Sequence, residues 1–172
     1  DRTMAITLDE LASELRAALQ TAPAEDVSAQ MCAAVSRALK DQDFVRRHLP
    51  DRAASEPVRE VLYEDPDLGF CICGHVNEGA AESGPHDHGS SWAIYGQAEG
   101  ETVMTDWRII KRGADDAPTL VAPERVYTLT PGDAHFYGVG AVHSPKRDAP
   151  TRLVRVEGAN LDHVQRSNIR AA

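Results

Sequence analysis

The chain has 172 residues, 42% hydrophobic and 26% charged, with a formal net charge of −9. That size and balance suit one globular domain with a sizeable core. An acidic chain whose longest basic runs are Arg46-Arg47 and Lys111-Arg112 argues against nucleic acid, which needs a positive footprint, and no segment reaches the ~20 apolar residues that span a bilayer.

The first third reads as helical. Thr7 with Glu10 three residues later forms a capping-box pattern, and Leu8, Leu11, Leu15, Ala18 and Leu19 repeat at helical spacing over 7–20. Pro23 ends this helix. Asp26 is placed to cap a second one, with Val27, Met31, Ala34, Val35, Ala38 and Leu39 on one face. A short third helix is expected over 43–48, before Pro50. All three are amphipathic, so they are expected to cover another layer.

After Pro57 the pattern changes to short strands separated by turns. Strands are expected over 58–63, 70–76, 92–98, 101–110, 119–121, 125–130, 134–137 and 153–157, with loops at 77–85 and 111–118. Many short strands at this spacing point to a β-sandwich or barrel. The division expected is an N-terminal helical subdomain at 1–55 and a β-barrel at 56–172, forming one compact domain. The stretch after Gly158 carries no clear pattern.

Two stretches carry chemistry. In the first, Gly84-Pro85-His86-Asp87-His88-Gly89 is followed by the run from Ser90 to Gly100. On a strand, His86 and His88 would share a face about 6–7 Å apart, with Asp87 opposite. Two such imidazoles can close on one cation. In the second, the turn Pro131-Gly132-Asp133 leads into a strand. Gly138 and Gly140 then let the backbone bend before His143, which can supply a third ligand.

Together these motifs resemble those of the cupin superfamily. His86, His88 and Gly100 match its first motif, and Ala93 stands where a glutamate is usual. Pro131, Gly132, Asp133, Gly140 and His143 match the second, with Gly138 replacing a proline. A cupin without the glutamate resembles the cysteine dioxygenase (thiol dioxygenase) branch, whose members also begin with helices. The resemblance implies a mainly β double-stranded β-helix (jelly-roll) barrel with an N-terminal helical subdomain. It also implies a metal held by His86, His88 and His143, and a substrate carboxylate held by Arg59. Two departures weaken the case for cysteine itself as substrate. Ala93 replaces the cross-linking cysteine of some members, and Leu153, Arg155 and Glu157 fall where the family carries a Ser-x-His-x-Tyr relay.

Three neutral ligands leave a divalent ion its full charge, which favours an anionic substrate. The expected cofactor is Fe(II), although Zn, Ni, Mn or Cu suit the same ligands. The expected activity is O2-dependent oxidation of a small thiol-containing carboxylic acid to a sulfinate. The alternatives are carbon–carbon bond cleavage of a small organic acid or diketone, and a non-catalytic metal- or effector-sensing cupin. Expected partners are the small-molecule substrate and O2, with no nucleic acid and no membrane, in a monomer or small homo-oligomer. The N-terminus lacks the pattern of a leader peptide, and the odd set Cys32, Cys71 and Cys73 does not form a disulfide framework, so a cytoplasmic protein is expected.

Other residues read first as structural. Arg59 could simply pair with Glu60 or Glu64. His135 reads as a core or surface residue, with a place beside the ligands as the alternative. His75 reads as structural, and His48 and His163 as surface residues. Trp92, Tyr95, Phe136 and Tyr137 read as core, with one tyrosine able to donate a hydrogen bond at the metal.

Overall fold

The computed structural model describes residues 5–114, 116–161 and 164–172, so His163 lies outside the described residues. Three helices come first: α1 (Leu8–Thr21), α2 (Val27–Leu39) and α3 (Gln42–His48). Thr7 caps α1, its hydroxyl accepting from Glu10 N at 3.1 Å. Asp26 occupies the start of α2, but its side chain makes no capping bond. Its backbone is already in the helical region, whereas a capping residue is normally extended. Asp41, in extended conformation, caps α3 by accepting from Asp43 N and Phe44 N.

Ten strands follow among the described residues: β1 (Arg59–Glu64), β2 (Cys71–Asn77), β3 (Ala81–Glu82), β4 (Ala93–Glu99), β5 (Thr102–Lys111), β6 (Thr119–Leu129), β7 (Ala134–Tyr137), β8 (Val142–Arg147), β9 (Thr151–Glu157) and β10 (Ile169–Ala171). They form two five-stranded sheets, ordered β1-β2-β9-β4-β7 and β10-β6-β5-β8-β3. The fold is the expected mainly β jelly roll of two sheets, with the helices laid against one of them. No helix among the described residues is long and apolar enough to cross a membrane.

Two expected strands, 119–121 and 125–130, are one. Pro123, which suggested a break, pairs with Trp107 next to a register shift between Asp106 and Trp107. A bulge is where a sheet tolerates proline. Strands β3, β8 and β10 were outside the expected ranges; β3 and β10 span only 2 and 3 residues. β8 carries Ser144-Pro145-Lys146-Arg147, and β10 pairs in parallel with β6 over only Ile169, Arg170 and Ala171.

The central strands of the first sheet, β2, β9 and β4, are buried on both faces. In β9, Val154 and Val156 join the cluster that includes Leu11 and Leu15 of α1, Val35 and Leu39 of α2, and Ile72 and Ile94. The alternate residue Leu153 joins a second cluster with Ala93, Tyr95, Met104, Leu129 and Tyr137, inside the barrel. Strand alternation separates these layers. Gly96 allows the helices to approach closely, since a Cβ there would lie 2.7 Å from Val35 Cγ1 and 3.0 Å from Val154 O.

Candidate metal centre

The ligand stretch is not a strand. His86 forms an isolated antiparallel bridge with His143, and the following residues turn away. His86 N donates to His143 O, and His143 N donates to His86 O, each at 3.0 Å. Two candidate ligands far apart in sequence are thus fixed to one another through the main chain. Asp87 leaves the site, its Oδ1 accepting from Gly89 N at 3.1 Å and Ser167 N at 3.2 Å. Gly89 has φ +61°, and a Cβ there would lie 2.4 Å from Gln165 O. The segment around residue 165 therefore passes directly over the loop that carries His88.

The three histidines converge. One ring nitrogen from each of His86, His88 and His143 lies within 4.8 Å of the others. His88 Nε2 and His143 Nε2 are 3.0 Å apart. Two nitrogens each ~2.1 Å from one ion, at a right angle, are separated by about 3.0 Å. His86 Nδ1 donates to Gly84 O at 2.9 Å, which leaves its Nε2 lone pair free for a cation. Burial lowers the proton affinity of all three rings. It brings His88 down to about 2, with Arg155 and His86 adding to the effect, and it lowers His86 and His143 in the same direction. Their unprotonated nitrogens are the form that binds metal. The donor set therefore fits a divalent ion, and among the described residues no carboxylate belongs to it.

Tyr95 completes the wall. Its hydroxyl lies 3.1 Å from His143 Nε2 and 3.3 Å from His88 Nε2. Tyr137 packs its ring 4.4 Å from His143 and joins its hydroxyl to Tyr127 at 2.6 Å. Tyr127 in turn donates to Asp106 at 2.8 Å. His135 stands beside this group, its ring 4.6 Å from Tyr137 and 5.1 Å from Tyr127, and outside the three-histidine cluster. His75 accepts from Arg155 Nη1 at 3.3 Å, and His48 packs on Phe44. Ala93 is fully buried inside the barrel.

Arg59 is bound to protein groups. Its Nη2 donates to Glu157 Oε1 at 2.7 Å and to Asn160 Oδ1 at 3.3 Å. The cavity beside the triad, about 160 Å³, is instead lined by Arg147, Arg155 and Arg166 together with Ser83, His86 and Tyr95. Arg155 stacks over the Tyr95 ring at 4.3 Å. Arg147 Nε donates to Thr102 Oγ1 at 3.0 Å. Larger clefts of about 590 and 580 Å³ run along the helices and contain none of the three histidines. Sequence reading missed the arginines. A signal for one existed in β9, where Arg155 and Glu157 alternate with Val154 and Val156, placing charge on one face of an otherwise apolar strand.

No protein-family model matches the chain, and no curated protein matches it. Solved structures do. A protein with a double-stranded β-helix domain from Klebsiella pneumoniae is 17% identical, with 73% of this chain and 88% of that one covered and a TM-score of 0.49. A cupin superfamily protein from Desulfitobacterium hafniense is 12% identical, covering 65% and 85%, with a TM-score of 0.47. A cupin-2 domain protein from Shewanella frigidimarina is 16% identical, covering 64% and 86%, with a TM-score of 0.43.

Proposed function

We propose that this chain is a mononuclear metal-dependent dioxygenase that holds Fe(II) through His86, His88 and His143 and oxidises a small thiol-containing carboxylic acid to its sulfinate. The observation that carries this reading is the convergence of three imidazoles, two buried and one half-buried, with no carboxylate in the set among the described residues. When bound, the ferrous ion supplies the redox chemistry, and the balance is thiol plus O2 giving sulfinate plus one proton.

The chain's own groups supply the rest. His86, His88 and His143 would hold the ion without compensating its charge, which would favour the thiolate form of a substrate beside it. Tyr95 sets a hydroxyl where it can donate a hydrogen bond to the reacting group. The arginine-lined cavity attracts and orients a carboxylate, for which the guanidinium fork is suited. The aromatic and aliphatic barrel interior excludes bulk water.

The test is to reconstitute the full chain anaerobically with Fe(II) and follow O2 consumption with cysteine, mercaptopropionate and mercaptosuccinate. Uptake matched one-to-one by sulfinate supports the reading. Uptake with a β-diketone and with no thiol transfers the chain to carbon–carbon cleavage. No uptake with any substrate refutes the dioxygenase reading.

A further inference from the structure

We infer that the substrate of this site is a dicarboxylic acid: besides the group given to the metal, it carries two separate carboxylates, read by Arg147, Arg155 and Arg166. The inference rests on the metal-site reading and narrows its substrate class.

The first argument is charge. The lining of the cavity beside His86 and Tyr95 includes three arginines and no acidic side chain among the described residues. Glu157 is the nearby acid, buried on its own strand, and it is already shared. It accepts from Arg59 at 2.7 Å and faces Arg155 Nη2 at 3.4 Å. One carboxylate thus serves two guanidinium groups, and Arg147 and Arg166 add two more charges. The three histidines bring no compensating charge to a bound cation. A thiol monoacid, bound as thiolate, delivers only one charge to the arginines. A second carboxylate brings the site closer to balance, and unbalanced charge in a confined site is costly.

The second argument is unused hydrogen bonding. Arg155 is 8% exposed; among the described residues its Nε has no hydrogen-bond acceptor, and its Nη2 has only the long ion pair to Glu157 Oε2 at 3.4 Å. Buried donors of this kind are normally satisfied. A substrate carboxylate satisfies both with the geometry that guanidinium favours.

The third argument is placement. The arginines come from three elements. Arg147 ends β8, Arg155 lies in the middle of β9, and Arg166 belongs to the segment that crosses Gly89. They reach the triad: all three line the same cavity as His86 and Tyr95, and Arg155 lies 4.3 Å over the ring of Tyr95, whose hydroxyl is 3.1 Å from His143 Nε2. Guanidinium groups arriving from three sides suit separated carboxylates better than one compact anion. The volume of about 160 Å³ is small beside the about 300–1,000 Å³ of typical ligand sites, which fits a short-chain diacid.

The test uses sulfur-free probes and a redox-inert metal. The full chain is loaded with Zn(II), and succinate, propionate and methylphosphonate are titrated calorimetrically at two salt concentrations. Succinate is expected to bind at least ten-fold more tightly than propionate, with the preference falling as salt rises. Arg166→Gln, at an exposed position, and Arg147→Gln each reduce the preference below three-fold. Arg108→Gln, on the exposed face of β5, leaves it unchanged. Equal binding of succinate and propionate overturns the inference. So does tighter binding of methylphosphonate than succinate, or a preference that survives both variants. The zinc protein performs no oxidation, so this outcome is independent of O2 uptake. Uptake with a thiol monoacid and no succinate preference refutes only the diacid. A succinate preference with no uptake refutes only the dioxygenase.

Discussion

Glu157→Gln removes one charge and keeps an oxygen acceptor in place, and it should destabilise the protein by about 3 kcal/mol. Glu157 is fully buried, and its carboxylate holds Arg59 at 2.7 Å and faces Arg155 at 3.4 Å. With an effective dielectric of ~20, the Arg59 contact alone corresponds to about 6 kcal/mol of direct attraction. The Arg59 side chain remains 22% exposed, so water screens part of this and its loss is partly compensated. Removing one partner from a buried pair typically costs about 3–5 kcal/mol, and the exposure places this case at the low end. The variant also leaves two guanidinium groups facing each other without an intervening charge. For a chain of this size, the expected fall in Tm is about 6–12 °C. Urea denaturation of Glu157→Gln, Arg59→Gln and the double variant forms the assay, since the cycle isolates the coupling between the two residues. A single-variant loss below ~1 kcal/mol, or no coupling in the cycle, would refute the argument that this carboxylate anchors the barrel's arginines.

Three further outcomes follow from the geometry. His143→Ala should abolish stoichiometric metal binding while retaining the β-rich circular dichroism spectrum, because its main-chain bonds to His86 do not need the imidazole; metal analysis of the purified variant reads this directly. Gly96→Ala should cost about 1–3 kcal/mol, because its Cβ would press on Val35 Cγ1 and Val154 O, and a denaturation curve measures it. Asp65 concerns pH. Burial pushes its carboxyl up, but hydrogen bonds from Leu68 N, Tyr63 and Arg16 more than reverse this and bring it to about 2. A depressed carboxyl stabilises the fold above its unfolded pKa of ~3.9 and loses that contribution as pH falls through about 2. The stability gap between the native chain and Asp65→Asn should therefore be constant near neutral pH and shrink between about pH 4 and 2.

The helices were legible because Thr7 and the leucine spacing of α1 are local signals. The triad was legible because the histidines lie in two compact motifs with turn residues at their edges. The wall of the site was not. Arg147, Arg155 and Arg166 are separated along the chain, and only the pairing of β9 with β4 brings Arg155 opposite Tyr95. Arg59 was expected at the substrate, but its partner Glu157 lies at the far end of β9, 98 residues away. Register of that kind depends on which strands are neighbours, and strand spacing alone does not determine it. The continuity of β6 was hidden for a related reason: Pro123 marks a break in isolation and a bulge once its neighbour is known.

The reciprocal main-chain bonds between His86 and His143 bear on how the protein assembles. A slip of one residue between these segments would turn one imidazole to the opposite side. The ligands can therefore be aligned only after β8 has found its place beside β5, where His143 pairs with Asp106. A cation arriving at the unfinished chain meets scattered histidines, whereas one arriving later meets a formed claw. Metal capture should thus lag behind the pairing of β8 with β5.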